Sequence, residues 1–301
     1  MSSLFQASQS RLYRWLLGWQ WHLNQRVTQA LVWVYLLFIL VLPLSSLFWK
    51  ASQEPLTDLW TAIAAPAAWD AYKLTLTTAL IAATINTVFG LILAWILTRY
   101  SFPGKRIADA LIDLPFALPG VVAGITLVAL YGPGGIIGQV FDPGNPLGDL
   151  LEQLGLLEVN LTASVIGVTF AQVYVTLPFV VRILQPALLA IEPEVEEVAM
   201  TLGARPRQLF WRIILPQSLN SLLTGFALVL ARAIGEYGVV VILSGNIPYQ
   251  TLVSTVYIYQ RIEEFQLSQA TAVAIVLLIM SVLLLAVANW CQGWSRPWDA
   301  E

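Results

Sequence analysis

The chain has one cysteine and one histidine in 301 residues, and only 11% of its residues are charged. A lone Cys291 excludes an internal disulfide, and at the end of the last apolar run it is expected to be a small apolar filler. His22 lies among Trp15, Trp19 and Trp21 with no cysteine or carboxylate cluster around it, so no metal site is expected. No G-x-x-x-x-G-K-S/T occurs, and Gly104-Lys105-Arg106 is only part of a turn, so the chain lacks a phosphate-cradling loop of its own. G-x-S-x-G, H-E-x-x-H and C-x-x-C are missing too. Nothing argues for an enzyme active site, a resident cofactor or a nucleic-acid partner. Asn160-Leu161-Thr162 matches a glycosylation acceptor, but it abuts a span and so short a pattern arises by chance.

What is present is apolar. Hydrophobic residues make up 58% of the chain and the mean hydropathy is +0.74; a soluble domain carries roughly 25% charged residues, more than this chain has. The fold class expected is all-α, a polytopic membrane protein with six transmembrane helices. Residues 2–26 contain no acid and three arginines, and no small-residue cleavage site follows an apolar core, so a signal peptide is not expected. Leu12, Trp15, Leu16, Trp19 and Leu23 recur at helical spacing, which predicts an amphipathic helix over 1–26 lying on membrane lipid. The first span is expected over 27–49 and a permease core over 70–292. Within that core, spans are expected near 74–98, 114–131, 162–181, 219–243 and 268–290. The third contains Pro115, Pro119, Gly120 and Gly124, which are tolerated where neighbouring helices satisfy the freed backbone.

Six spans place both termini on one side. Arg11, Arg14, Arg26, Arg99, Lys105, Arg106, Arg182, Arg205, Arg207, Arg212 and Arg296 fall on one face; Lys50, Lys73 and Arg261 fall on the other. The positive-inside rule makes the first face, with both termini, cytoplasmic.

The long polar segment of the second half is 185–216, on that same face. It predicts two short helices meeting at Gly203. Pro193 suits a first turn, and Glu192, Glu194, Glu196 and Glu197 crowd the end where the helix dipole favours negative charge. Val195, Val198, Ala199 and Leu202 form one apolar stripe. Gly203 is expected to stop this helix, Pro206 to start the next and Pro216 to end it.

Glu197-Val198-Ala199, then Gly203, then Ile213, Leu215 and Pro216 match the spacing E-A-A-x-x-x-G-x(9)-I-x-L-P. On these residues the chain resembles the permease subunits of bacterial ABC importers, with Val198 standing where the pattern has its second alanine. The resemblance implies the type I importer permease fold. It also implies that the short helix sits in a cleft of a separate ATPase, which holds ATP and Mg²⁺. Glu197, Ala199, Leu202, Gly203, Ala204 and Pro216 are then the coupling residues, with Glu197 fixing the helix start.

A second stretch, Ala231 to Pro248, carries Arg232 and Glu236 inside an expected span. A lone charge there is costly, by about 2.5 kcal/mol or more on insertion scales, so it must be paired or wetted. At i, i+4 the two can pair and fix packing, or Arg232 can line an anion route that Glu236 gates; an arginine fork suits an oxyanion. The run Arg232-Ala233-Ile234-Gly235-Glu236-Tyr237-Gly238, with Gly245-Asn246-Ile247-Pro248, resembles the sulfate and molybdate branch of the family. Its ending looks like the T subunit of sulfate/thiosulfate permeases. By resemblance, Arg232, Glu236, Tyr237, Gly245 and Asn246 belong to the translocation path. The partners implied are a homologous permease of the W type, two copies of an ABC ATPase, and a periplasmic sulfate-binding protein. The localisation implied is the bacterial inner membrane.

Nine acids against three bases on the outer loops would not steer a free dianion inward, which favours delivery by a binding protein. The Gly/Pro-rich loop from Tyr131 to Asn160 is the expected docking surface. A molybdate or tungstate permease is the nearest alternative; an ion-coupled secondary transporter would usually show inverted repeats and broken half-helices, and neither is evident.

Overall fold

A computed structural model describes residues 25–141, 145–153 and 162–294. The expected surface helix over 1–26 lies almost wholly outside the described residues, as do Asn160 and Arg296. Among the described residues every regular element is helical.

Two compact units divide at Pro55–Leu56. The first holds α1 (Gln25–Ser52), an apolar helix long enough at about 42 Å to cross a bilayer. It contains a π-turn, Leu37–Val41, two residues before Pro43. Proline lacks an N–H and its ring crowds the carbonyl four residues back; the wider turn ahead of it relieves both problems.

The second unit holds the other helices. Its short α2 (Leu56–Ile63) precedes α3 (Pro66–Arg99), which Pro66 starts at a position needing no N–H partner. At 34 residues α3 starts well before the expected Leu74. After α4 (Lys105–Ile112), the third span expected over 114–131 is broken into α5 (Leu114–Ala117) and α6 (Gly120–Tyr131). Pro115 opens α5, and Pro119 directly precedes α6 in an extended conformation, so each proline starts a new helix. Then come α7 (Val165–Leu189), α8 (Pro193–Thr201), α9 (Pro206–Ile234), α10 (Val240–Leu243), α11 (Ser254–Glu263) and α12 (Leu267–Trp294). Among the described residues five helices are long and apolar enough to span a membrane, where six are expected; α6, in the place of the third expected span, is apolar but only 12 residues long.

Two expectations change here. Pro216 does not end the second short helix. A π-turn at Phe210–Ile214 again precedes the proline by two residues, and the helix continues to Ile234. The fifth span then stops at Ile234 rather than Leu243, because the chain leaves the helix at Gly235 and re-enters helix only at Val240.

The core has two clusters. One joins Ala94, Leu97, Leu188, Ala199 and Ile214 at the α8 end, reaching Ala79 and Leu277. The other joins Ala68, Tyr72, Val168, Leu243, Tyr257 and Val273 toward the opposite end. α3, α7 and α9 pack on one another throughout. α6 crosses the segment after α9 at a pair of glycines, where a Cβ on Gly120 would stand 3.1 Å from Gly238 Cα. That contact is backbone against backbone and leaves no room for a side chain.

Candidate functional site

The α8 end is built from four separate stretches of chain. Glu192 precedes α8, Pro193 opens it, and Glu194 and Glu196 occupy its first turn. The expected apolar stripe splits. Ala199 is buried, whereas Val195, Val198 and Leu202 face outward, Leu202 at 83% exposure. The small Ala199 rests on the core; the larger apolar side chains, with Met200, form an uncovered face. Glu197 is exposed in the middle of the helix and does not stand at its start, so it caps nothing.

The turn that follows is a Schellman cap. Gly203 N–H donates to Met200 O at 2.9 Å and Ala204 N–H to Ala199 O at 3.0 Å. Gly203 has φ +87°, a conformation glycine adopts freely, and a Cβ there would meet nothing within 4 Å. Its requirement is conformational, not steric, within this chain.

Arg99, at the end of α3, holds α8 in place. Its guanidinium meets Glu196 at 2.5 Å, with both side chains mostly buried, and also donates to Ile191 O at 3.3 Å. It lies over the Trp95 ring, and Trp95 meets Phe210 edge-on at 5.7 Å. One arginine thus ties α3, the start of α8 and the π-turn of α9. Sequence reasoning gave Arg99 no contact with α8 and gave Glu196 only to the dipole.

A second ion network ties the broken segment to α7. Arg182 binds Asp113 in bidentate fashion at 2.8 and 2.5 Å, and Asp109 at 2.7 Å. Gln185 bonds both Arg182 and Asp109. The Gln185 amide does most to hold the Asp109 carboxyl below its ordinary range, and Arg182 adds to it against the opposing effect of partial burial. The signal available was Asp109 and Asp113 at i, i+4 beside the proline break; its partner lies far along the chain.

The polar site nearer the opposite end forms where α9 breaks. Arg232 Nη1 meets Glu236 Oε2 at 2.6 Å, so the expected pair is present. Its burial is lopsided: Arg232 is 39% exposed and Glu236 3%. Glu236 Oε1 also accepts the Val239 N–H at 3.0 Å. Glu236 therefore bridges the end of α9 and the start of α10. Two further side chains secure the break: Gln172 donates to Ala233 O at 3.1 Å, and Thr255 to Glu236 O at 2.8 Å. Gln172 and Thr255 were not anticipated. Tyr237 packs on Tyr259 at 5.1 Å. Gly245 and Asn246 belong to the turn after α10, where Asn246 donates to Val241 O at 2.7 Å and Gly245 packs tightly against Ala163. Among the described residues they share no hydrogen bond with Arg232.

The arrangement holds no cluster of three or more His, Cys, Asp or Glu side chains able to bind a metal, among the described residues. It offers an exposed apolar helix braced by ion pairs at one end, and a half-exposed guanidinium on a buried carboxylate deeper in the bundle.

Comparison with known proteins accords with this geometry. The chain is 44% identical over 281 residues to a probable sulfate transport system permease protein of Nephroselmis olivacea, covering 93% of this chain and 92% of that one. It is 43% identical to the sulfate transport system permease protein CysT of Synechococcus elongatus, over 95% and 96%. It is 41% identical to that of Salmonella typhimurium, over 86% and 89%. A chain in the crystal structure of a bacterial ABC transporter involved in alginate import superposes with a TM-score of 0.69 at 18% identity, covering 90% of this chain and 95% of that one, a likeness of fold. Residues 86–298 match the family described as "Binding-protein-dependent transport system inner membrane component", and the chain belongs to that family of ABC transporter permeases.

Proposed function

We propose that the chain is one permease subunit of an ATP-driven importer for sulfate and thiosulfate. The observation that carries this is the 41–44% identity to sulfate permeases over nearly their whole length. The subunit forms half of a translocation path, completed by a homologous permease of the W type. Two copies of an ABC ATPase hold ATP and Mg²⁺, and a periplasmic sulfate-binding protein delivers the anion. The protein resides in the bacterial inner membrane with both termini and α8 on the cytoplasmic side. The uncovered face of Val195, Val198, Met200 and Leu202 is the surface that the ATPase covers. Closure of the ATPases moves α8, and Arg99 passes that movement to α3 and α9.

The test is ATPase activity of the assembled complex in the presence of binding protein loaded with sulfate, thiosulfate or molybdate. Sulfate and thiosulfate are expected to stimulate; stimulation by molybdate alone would overturn the cargo. The coupling turn has its own test. Asparagine tolerates the left-handed conformation of Gly203 whereas leucine adds about 1–2 kcal/mol of strain. Gly203→Asn is therefore expected to fold normally but to lose ATPase association and uptake. Normal uptake in both Gly203→Asn and Gly203→Leu would remove the turn from the coupling surface.

A further inference from the structure

Three arginines gather at the start of α9 and meet no carboxylate. Arg205, Arg207 and Arg212 line one open recess of about 410 Å³, together with Gln208 and Trp211. Arg99, Arg182, Arg232 and Arg261 are each paired with an acid, but none of the three recess arginines has an ion partner among the described residues. Nor does the sequence offer one nearby, since no acid occurs between Glu197 and Glu236.

The local sequence builds the recess. Pro206 opens the helix at a position that needs no N–H partner. The Arg205 N–H donates to Gln208 Oε1 at 2.9 Å, which closes the first turn and sets Arg205 beside Gln208. Leu209 and Ile214 are buried and fix the inward face, so Arg207, Gln208, Trp211 and Arg212 are left exposed at helical spacing. The charge-free run of α9 begins at Ile213, directly after Arg212. The recess therefore stands where the hydrocarbon of a bilayer ends and its headgroups begin. Trp211, 58% exposed, suits that level, because an indole ring is favoured at the membrane–water boundary.

Three arginines around one recess without an internal counter-ion call for an anion from outside. The planar guanidinium fork matches phosphate oxygens two at a time. Sites for whole small molecules run from roughly 300 to 1,000 Å³, so the recess has room for more than a bare ion. The apolar face given above to the ATPase belongs to α8, before the Gly203 turn; the recess belongs to α9, after it. We propose that this recess is a binding site for the headgroup of an anionic phospholipid, with Arg205, Arg207 and Arg212 on the phosphate and Trp211 against the glycerol. Trp211 meets Phe210 edge-on at 5.4 Å, and Phe210 meets Trp95, over which Arg99 lies. Three rings thus link the headgroup to the arginine that holds α8.

The full-length protein, purified with its partner subunits in a neutral detergent and stripped of native lipid, tests this. Native mass spectrometry with equimolar dioleoylphosphatidylglycerol and dioleoylphosphatidylcholine counts the lipids it retains. The wild type is expected to prefer phosphatidylglycerol, and Arg207→Gln with Arg212→Gln to cut that preference by about tenfold. Retention of phosphatidylcholine and the melting temperature without lipid should not change, because both arginines are exposed and unpaired. Should the double variant not fold, each single variant, expected to lose about threefold, carries the same comparison. A preference that survives in the variants overturns the proposal, and so does an equal loss of both lipids. Inorganic phosphate that displaces phosphatidylglycerol at equal concentration makes the recess a free-ion site and overturns it too. A preference seen only after the partner subunits are removed shows a protein covering the recess, with the same result.

Discussion

Replacing Arg232 by alanine is expected to destabilise the protein by about 3 kcal/mol, because it leaves a charge stranded in the bundle. Glu236 is 3% exposed, and without the guanidinium only its Oε1 keeps a partner, the Val239 N–H, while Oε2 is left with none. Breaking one side of a buried pair removes the attraction but not the desolvation, which is why single substitutions act more strongly than removal of both charges. Glu236→Gln in the same chain keeps the bond to Val239 and discards the stranded charge. The double variant is therefore expected to recover most of the stability, and thermal unfolding of the purified subunit in detergent measures both steps. Anion uptake then separates the two roles left open for the arginine. If the double variant assembles, melts normally and still fails to transport, the half-exposed guanidinium acts on the anion. Full uptake in the double variant would leave Arg232 as a packing device only.

The second large effect is expected at Arg99 and Glu196. Each alone to alanine should lower uptake by about an order of magnitude, some 1.4 kcal/mol in the coupled step. α8 keeps its own cap and its buried Ala199 in either variant, so the ATPase should still bind. The expected phenotype is ATP hydrolysis that no longer drives uptake. The pair is 17% and 16% exposed, shielded enough for the interaction to survive moderate salt. A double-mutant cycle on uptake is the measurement. Independent effects of the two substitutions would show that Arg99 acts through Ile191 O and Trp95 alone.

Much of this architecture is legible from hydropathy, because a bilayer imposes runs of about 20 apolar residues that few other constraints produce. What escapes is wherever local rules compete. α3 begins at Pro66, ahead of the apolar run, because Asp70 and Lys73 interrupt the hydropathy of its first two turns without ending the helix. Pro216 reads as a terminus, and is one only if the backbone cannot widen; the π-turn before it supplies that freedom. The stripe of Val195, Val198, Ala199 and Leu202 is visible by spacing, but spacing cannot tell an inward face from one reserved for another subunit. Arg99 and Glu196, or Arg182 and Asp113, lie too far apart in the chain for periodicity to join them.

The π-turn of α9 also sets the phase of everything before it. At 3.6 residues per turn, one additional residue in the helix rotates what precedes it by about 100° about the axis. A helical wheel drawn through Pro206–Ile234 as a plain α-helix thus assigns Arg207 and Gln208 to the wrong side relative to Gln217, Thr224 and Arg232. Deleting a single residue from Phe210–Ile214 would straighten the backbone into regular α-helix and leave the membrane-crossing part untouched. It would also swing the turn at Gly203, and with it α8, to a different bearing around the bundle.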